Sequence, residues 1–156
     1  MTAREFATWA STRGIPDRTI EELLQYAASP EEMEEACDAM EPAPPIYTLD
    51  DIVEMTDKDP YGVFARANGL IVVGGCPNGD PIAIDLADEP GSVWYICHET
   101  MSARPVREVS IRVASDLTEM QNGMARGGFP YDYFDARDRA RPSGGVDVLH
   151  PLLSCD

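Results

Sequence analysis

The sequence predicts an α+β domain: a mainly antiparallel sheet of about four to six strands with flanking helices. Three observations predict it. The chain opens with helix-start signatures followed by apolar residues at helical spacing. Its middle, residues 70–98, holds three short apolar runs separated by Gly/Pro/Asp turns too short for a crossover. A strand-like alternation and a second amphipathic helix then follow, so helices flank the sheet in sequence rather than alternating with each strand.

The N-terminal helices come first. Thr2 and Glu5 have capping-box spacing and start a helix that carries Phe6, Trp9 and Ala10 on one side, stopped by Gly14, Ile15 and Pro16. Thr19 and Glu22 repeat the signature ahead of Ile20, Leu23, Leu24 and Ala27. Ser29 and Glu32 do so again, with Pro30 at the first helical position, where its missing N–H costs nothing. Met33, Ala36, Cys37 and Met40 then form an apolar stripe opposite Glu31, Glu32, Glu34, Glu35 and Asp38. Residues 41–45 are a stiff Pro-rich connector, the natural boundary between an N-terminal helical segment (1–41) and a core (46–128).

Thr48 caps a short helix bearing Leu49, Ile52 and Val53. Residues 59–67 admit two readings: a helix from Asp59-Pro60 through Phe64, or a strand ending in an Asn68-Gly69 hairpin turn. Leu70, Ile71, Val72 and Val73 are a strand buried on both faces. A turn with Gly74, Gly75, Pro77, Asn78 and Gly79 follows, and Ile82, Ile84 and Leu86 alternate with Ala83 and Asp85 in a second strand. After Pro90-Gly91, residues 92–98 are a third strand, apolar at both parities. Val109, Ile111 and Val113 make a fourth with one solvated face, and Ser115 caps a helix with Leu117, Met120 and Met124.

These residues carry a resemblance. Gly74, Gly75, Gly79, Asp80, Pro81, Asp85, Val93 and His98 stand in a pattern that resembles the SMI1/KNR4 family (SUKH superfamily): apolar strand, glycine-rich turn, Gly-Asp-Pro step, strand ending near Asp, and a return strand ending in His and an acid. The likeness covers about thirty residues directly, continues more weakly into the strand and helix beyond, and has no counterpart for residues 129–156, a C-terminal extension. It implies an SMI1/KNR4-like fold and a non-enzymatic protein-binding function. In bacteria that function is the immunity protein, which neutralises a cognate toxin; in eukaryotic relatives it is a regulatory scaffold.

The charge bears on partners. There are 28 acids against 12 bases in 156 residues, a net charge of −16, which repels nucleic acid and anionic membranes and hastens encounter with a basic protein. Between residues 21 and 59 stand 13 acids against Lys58 alone. Glu31, Glu32, Glu34, Glu35 and Asp38 are therefore the candidate partner-binding residues, for a toxin domain with a basic surface, often a nuclease. No run approaches the ~18 apolar residues of a membrane span, residues 1–11 lack a secretory apolar core, and the four cysteines are scattered, so the expected compartment is cytoplasmic.

Enzymatic chemistry has less to stand on. The turn at 74–79 lacks the Lys-Ser/Thr and following helix of a phosphate loop. Cys76 in that turn has no sequence neighbour to lower its pKa. The alternative to a binding module is a small metal-dependent hydrolase using Asp85 and His98; otherwise no catalytic residue, cofactor or metal is expected, and the signature residues are read as structural, with Asp85 holding turn amides.

Overall fold

A computed structural model describes residues 1–141; the remainder of the C-terminal extension, with His150 and Cys155, lies outside the described residues. Five helices, α1 (Ala3–Thr12), α2 (Asp17–Tyr26), α3 (Pro30–Asp38), α4 (Leu49–Asp57) and α5 (Pro60–Ala67), precede the strands β1 (Leu70–Gly75), β2 (Pro81–Asp85) and β3 (Val93–Ile96). A 3-10 turn (Val106–Val109) leads into β4 (Ser110–Ala114), and α6 (Leu117–Arg126) and α7 (Tyr133–Ala140) follow. The strands form one antiparallel sheet in the order β1-β2-β3-β4, a meander.

Ile71 faces Ile84 across one ladder, and Ile84 faces Val93 across the next. All three are buried, as are Val72 and Ile96. Because β1 and β2 bury residues of both parities, the sheet is covered on both faces. Ile84→Ala is expected to destabilise the fold by about 2–5 kcal/mol, read from a denaturant midpoint, since it opens a cavity between two ladders; a loss under about 1 kcal/mol would mean the sheet centre is not the core.

The β1–β2 ladder shifts register between Val72 and Gly74. At that bulge the chain pairs outward as well: Tyr47 N donates to Val73 O (3.0 Å), Gly75 N donates to Pro45 O (3.0 Å), and Ile46 bridges Gly74. A Cβ on residue 74 would lie 1.9 Å from Pro45 O, so only glycine admits this approach. The turn beyond is a three-residue hairpin loop, with Gly79 N donating to Cys76 O (2.9 Å), Cys76 N to Asp80 O (2.8 Å), and Gly79 at φ +94°.

The caps refine the helix starts. Thr2 and Ser29 form capping boxes with Glu5 and Glu32, and Thr48 accepts from Asp51 N. Thr19, by contrast, caps nothing. α2 begins three residues earlier, after Pro16, and Glu22 is buried with its carboxylate accepting from Thr118 Oγ1 (2.8 Å) on α6 instead of from its own helix start. Nor is Ser115 the cap of α6: Asp116 accepts from Glu119 N, while Glu119 reaches back to Ser115 N. Residues 59–67 resolve as helix. Asp59 Oδ1 accepts from Tyr61 N and Gly62 N, and Gly62 lets α5 lie against Met55, whose carbonyl oxygen a Cβ there would meet at 2.0 Å.

Phe6, Ala10, Ile15, Ile20 and Leu23 join the same core as the sheet, and Asp57 fastens α1 to α4 and α5 by accepting from Trp9 Nε1 (2.9 Å), Arg13 and Arg66. The third helix differs. α3 buries none of its residues; Cys37 is exposed and Met40, just past its end, is 92% exposed, so the apolar stripe is not core. At the other end of the chain, the described part of the extension packs on the sheet. Tyr133 and Ala136 of α7 are buried, Phe129 sits edge-on to Tyr95 against Gly123, and Tyr95 Oη donates to Pro130 O (3.1 Å).

Candidate functional site

Asp80 opens β2 and is fully buried. One carboxylate oxygen accepts from His98 N (3.0 Å) and His98 Nδ1 (2.7 Å); the other accepts from Asn78 Nδ2 (2.8 Å) and Tyr133 N (3.0 Å). One side chain thus joins the β1–β2 loop, the end of β3 and the start of α7. The carboxylate also orients the imidazole: Nδ1–H points at Asp80, and in the neutral ring Nε2 is the nitrogen left to accept.

His98 forms part of the wall of a pocket of ≈ 260 Å³ with Tyr47, Met55, Asp59, Tyr61, Val72, Gly79, Pro81 and Met101. A neighbouring groove of ≈ 410 Å³, between α3 and α4, shares Tyr47, Met55 and Asp59 and adds Met33, Asp51 and Glu54. The Pro-rich connector, pinned to the outer edge of β1, carries Tyr47 into the wall common to both. Burial raises the Tyr47 hydroxyl above its ordinary pKa, and the Cys76 sulfur and the carboxylates of Asp51 and Asp59 push it the same way. The cleft is therefore aromatic and thioether-lined with an acidic margin. Its described lining holds no Ser, Thr, Cys or Lys, so what it offers a ligand is ring faces, sulfur contacts, carboxylate and one imidazole acceptor.

Asp85 stands elsewhere. It closes β2, five residues and so about 16 Å from Asp80 along the strand. Its oxygens accept from Ala87 N (2.8 Å), Glu89 N (2.9 Å) and Arg107 (2.8 Å). Although burial opposes ionisation, the Arg107 hydrogen bond and those turn amides hold its carboxyl down at about 2. The structure does not bring Asp85 to His98; the acid that meets His98 is Asp80. The ladder shows why: Ile82 faces Tyr95 and Ile84 faces Val93, so position 80 falls opposite 97–98 and position 85 opposite 92. Counting back from the Pro90-Gly91 turn would have found this pairing in the sequence. Cys76 is buried rather than open to solvent, and burial first, then Asp80 and Asp132, push its thiol up to about 12. Among the described residues, no group of three or more His, Cys, Asp or Glu is placed to hold a metal.

The five acids proposed for a partner all lie exposed on α3. Glu32 is engaged in its capping box; Glu31, Glu34, Glu35 and Asp38 make no ion pair with another described residue. The helix closes with Met40 N donating to Cys37 O and Glu41 N to Ala36 O, which puts Met40 at φ 56° where glycine is usual. The chain thus places a large apolar side chain in water in a costly backbone conformation, beside four acids without an ion-pair partner among the described residues. Gly74, Gly75, Gly79 and Pro81 shape the loop and the β1 edge. No helix among the described residues is long and apolar enough to cross a membrane. Compared with known proteins, the chain matches no family model, no curated protein and no solved structure.

Proposed function

We propose that this chain is a non-enzymatic protein-binding module whose partner presents a basic surface, acting in the manner of an SMI1/KNR4-type immunity protein that occludes a cognate toxin. The observation that carries the reading is α3, a helix capped at both ends that buries no residue fully and holds Glu31, Glu34, Glu35 and Asp38 without an ion-pair partner among the described residues. A helix kept in place without contributing to the core supports a role at a surface, and its charge selects a cationic one. The sequence resemblance supports the same role. The hydrolase alternative gains no support, because Asp85 and His98 lie at opposite ends of the β2–β3 hairpin.

The test is kinetic. A partner captured from the source cell should associate more slowly as salt rises, with little change in dissociation, because exposed charges are screened over ~8–10 Å at 0.1–0.15 M. Glu31, Glu34 and Glu35 reversed to Lys should slow association on the order of tenfold at low salt. Glu32 is left in place because it caps the helix. The matched control reverses Asp17, Glu21 and Asp88, which are exposed on other elements. Equal slowing by both sets would mean that net charge alone matters; wild-type rates for both would reduce the acidity to solubility.

A further inference from the structure

We infer that the cleft at Tyr47 seats a cationic side chain, arginine or lysine, presented by a basic protein partner. The inference rests on the protein-binding reading and assigns it an anchor point away from the crest of α3. Its first support is the wall. Tyr47 and Tyr61 offer ring faces, and Met55 and Met101 polarisable sulfur, the surroundings in which a cation and its aliphatic stem are both held well. Tyr61 is 53% exposed, so its ring is open to a visitor.

Charge is the second support. Asp51, Glu54 and Asp59 line the paired cavities, and none of them has an ion-pair partner among the described residues. Asp59 is also held still: its Oδ1 caps α5 through Tyr61 N and Gly62 N, which leaves Oδ2 for an incoming donor. His98 is held in the wall by Asp80, and the neutral ring with its proton on Nδ1 offers Nε2 as an acceptor. Burial is the main cause of the raised Tyr47 hydroxyl, and Asp51 and Asp59 add to it. Size is the third: the ≈ 260 Å³ pocket suits the end of one long side chain, and the open groove beside it, with Asp51 and Glu54, leaves room for the segment that presents it.

The experiment titrates the full chain, 15N-labelled, with an acetylated and amidated peptide of alternating arginine and leucine, and with the same peptide carrying citrulline in place of arginine. Citrulline keeps the shape and removes the charge. Amide shifts are expected at residues 47, 55, 59–62 and 98–101 with the arginine peptide and not with the citrulline one. Asp59→Asn retains the cap and removes the charge; Tyr61→Ala removes an exposed ring. Each should weaken binding about tenfold. Shifts confined to α3 would overturn the cleft while leaving the acidic docking surface standing. No shift anywhere would sink both. Equal binding of the citrulline peptide, or wild-type affinity in both variants, would overturn the cationic assignment.

Discussion

Asp80→Ala is expected to lower the stability of the fold by about 3–5 kcal/mol, a drop in melting temperature on the order of 10 °C for a chain of this size. The reason is arithmetic at one buried point. Four donors converge on this carboxylate, two of them backbone amides on elements distant in sequence, His98 and Tyr133. Alanine leaves those amides facing an apolar interior, and each unsatisfied buried donor costs about 1–3 kcal/mol. Asp80→Asn should recover little, since its NH2 would point one more donor at a cluster of donors. His98→Ala, at a half-exposed ring, should cost only about 1 kcal/mol. Urea titration of the three variants checks the ordering. If Asp80→Ala and His98→Ala cost the same, the carboxylate serves only to orient the imidazole.

The second large effect is the response to acid. The folded pKa of Asp85 is depressed to about 2 from an ordinary 3.8. A depressed carboxyl contributes stability that is fully present above about pH 4 and is lost as pH falls through about 2; the amount is about 2 kcal/mol. Wild type should therefore lose about 2 kcal/mol between pH 5 and pH 2 relative to Asp85→Asn, which has no proton to take up. At pH 7 the same variant should be less stable by about 3 kcal/mol, because Arg107 is left facing an amide rather than a carboxylate. Chemical denaturation of both proteins at the two pH values measures the difference directly. Parallel pH profiles would show that the ion pair does not survive in solution.

Much of this scaffold was legible in the sequence because its signals are local. Thr2, Ser29 and Thr48 cap helices through atoms three residues away, and Ile82 and Ile84 set the strand by alternation alone. The fate of α3 was not legible in this way. Met33, Ala36, Cys37 and Met40 have the spacing of a core-facing stripe, but spacing says which face a helix would bury and nothing of whether a surface is there to receive it. Thr19 misled for a related reason: its capping partner by spacing, Glu22, is claimed by Thr118 from 96 residues away. The site divides along the same line. The reading of Asp85 as a residue that holds turn amides matches its bonds from Ala87 N and Glu89 N. The Asp80–His98 pair was recoverable from hairpin register. The Tyr47 cleft was not, since residues 33, 47, 55–61 and 98–101 meet only once the connector is laid along β1.

That connector has a consequence for how copies of this protein can meet. By hydrogen-bonding to Val73 and Gly75, Tyr47 and Pro45 cover the Gly74 end of the outer edge of β1, whereas the far side of β4 has no strand partner among the described residues. A sheet with two open edges is a monomer for a fibre: each addition presents a fresh edge, and growth has no natural end. A sheet with one open edge can be extended once. A second copy added strand to strand at β4 would bring to the outside a β1 that Pro45 and Tyr47 already block at Gly74, and the two-fold pair would be a poor template for further growth. Gly74 is the residue on which that asymmetry depends. A side chain there would push Pro45 away and free that end of β1 for a further strand.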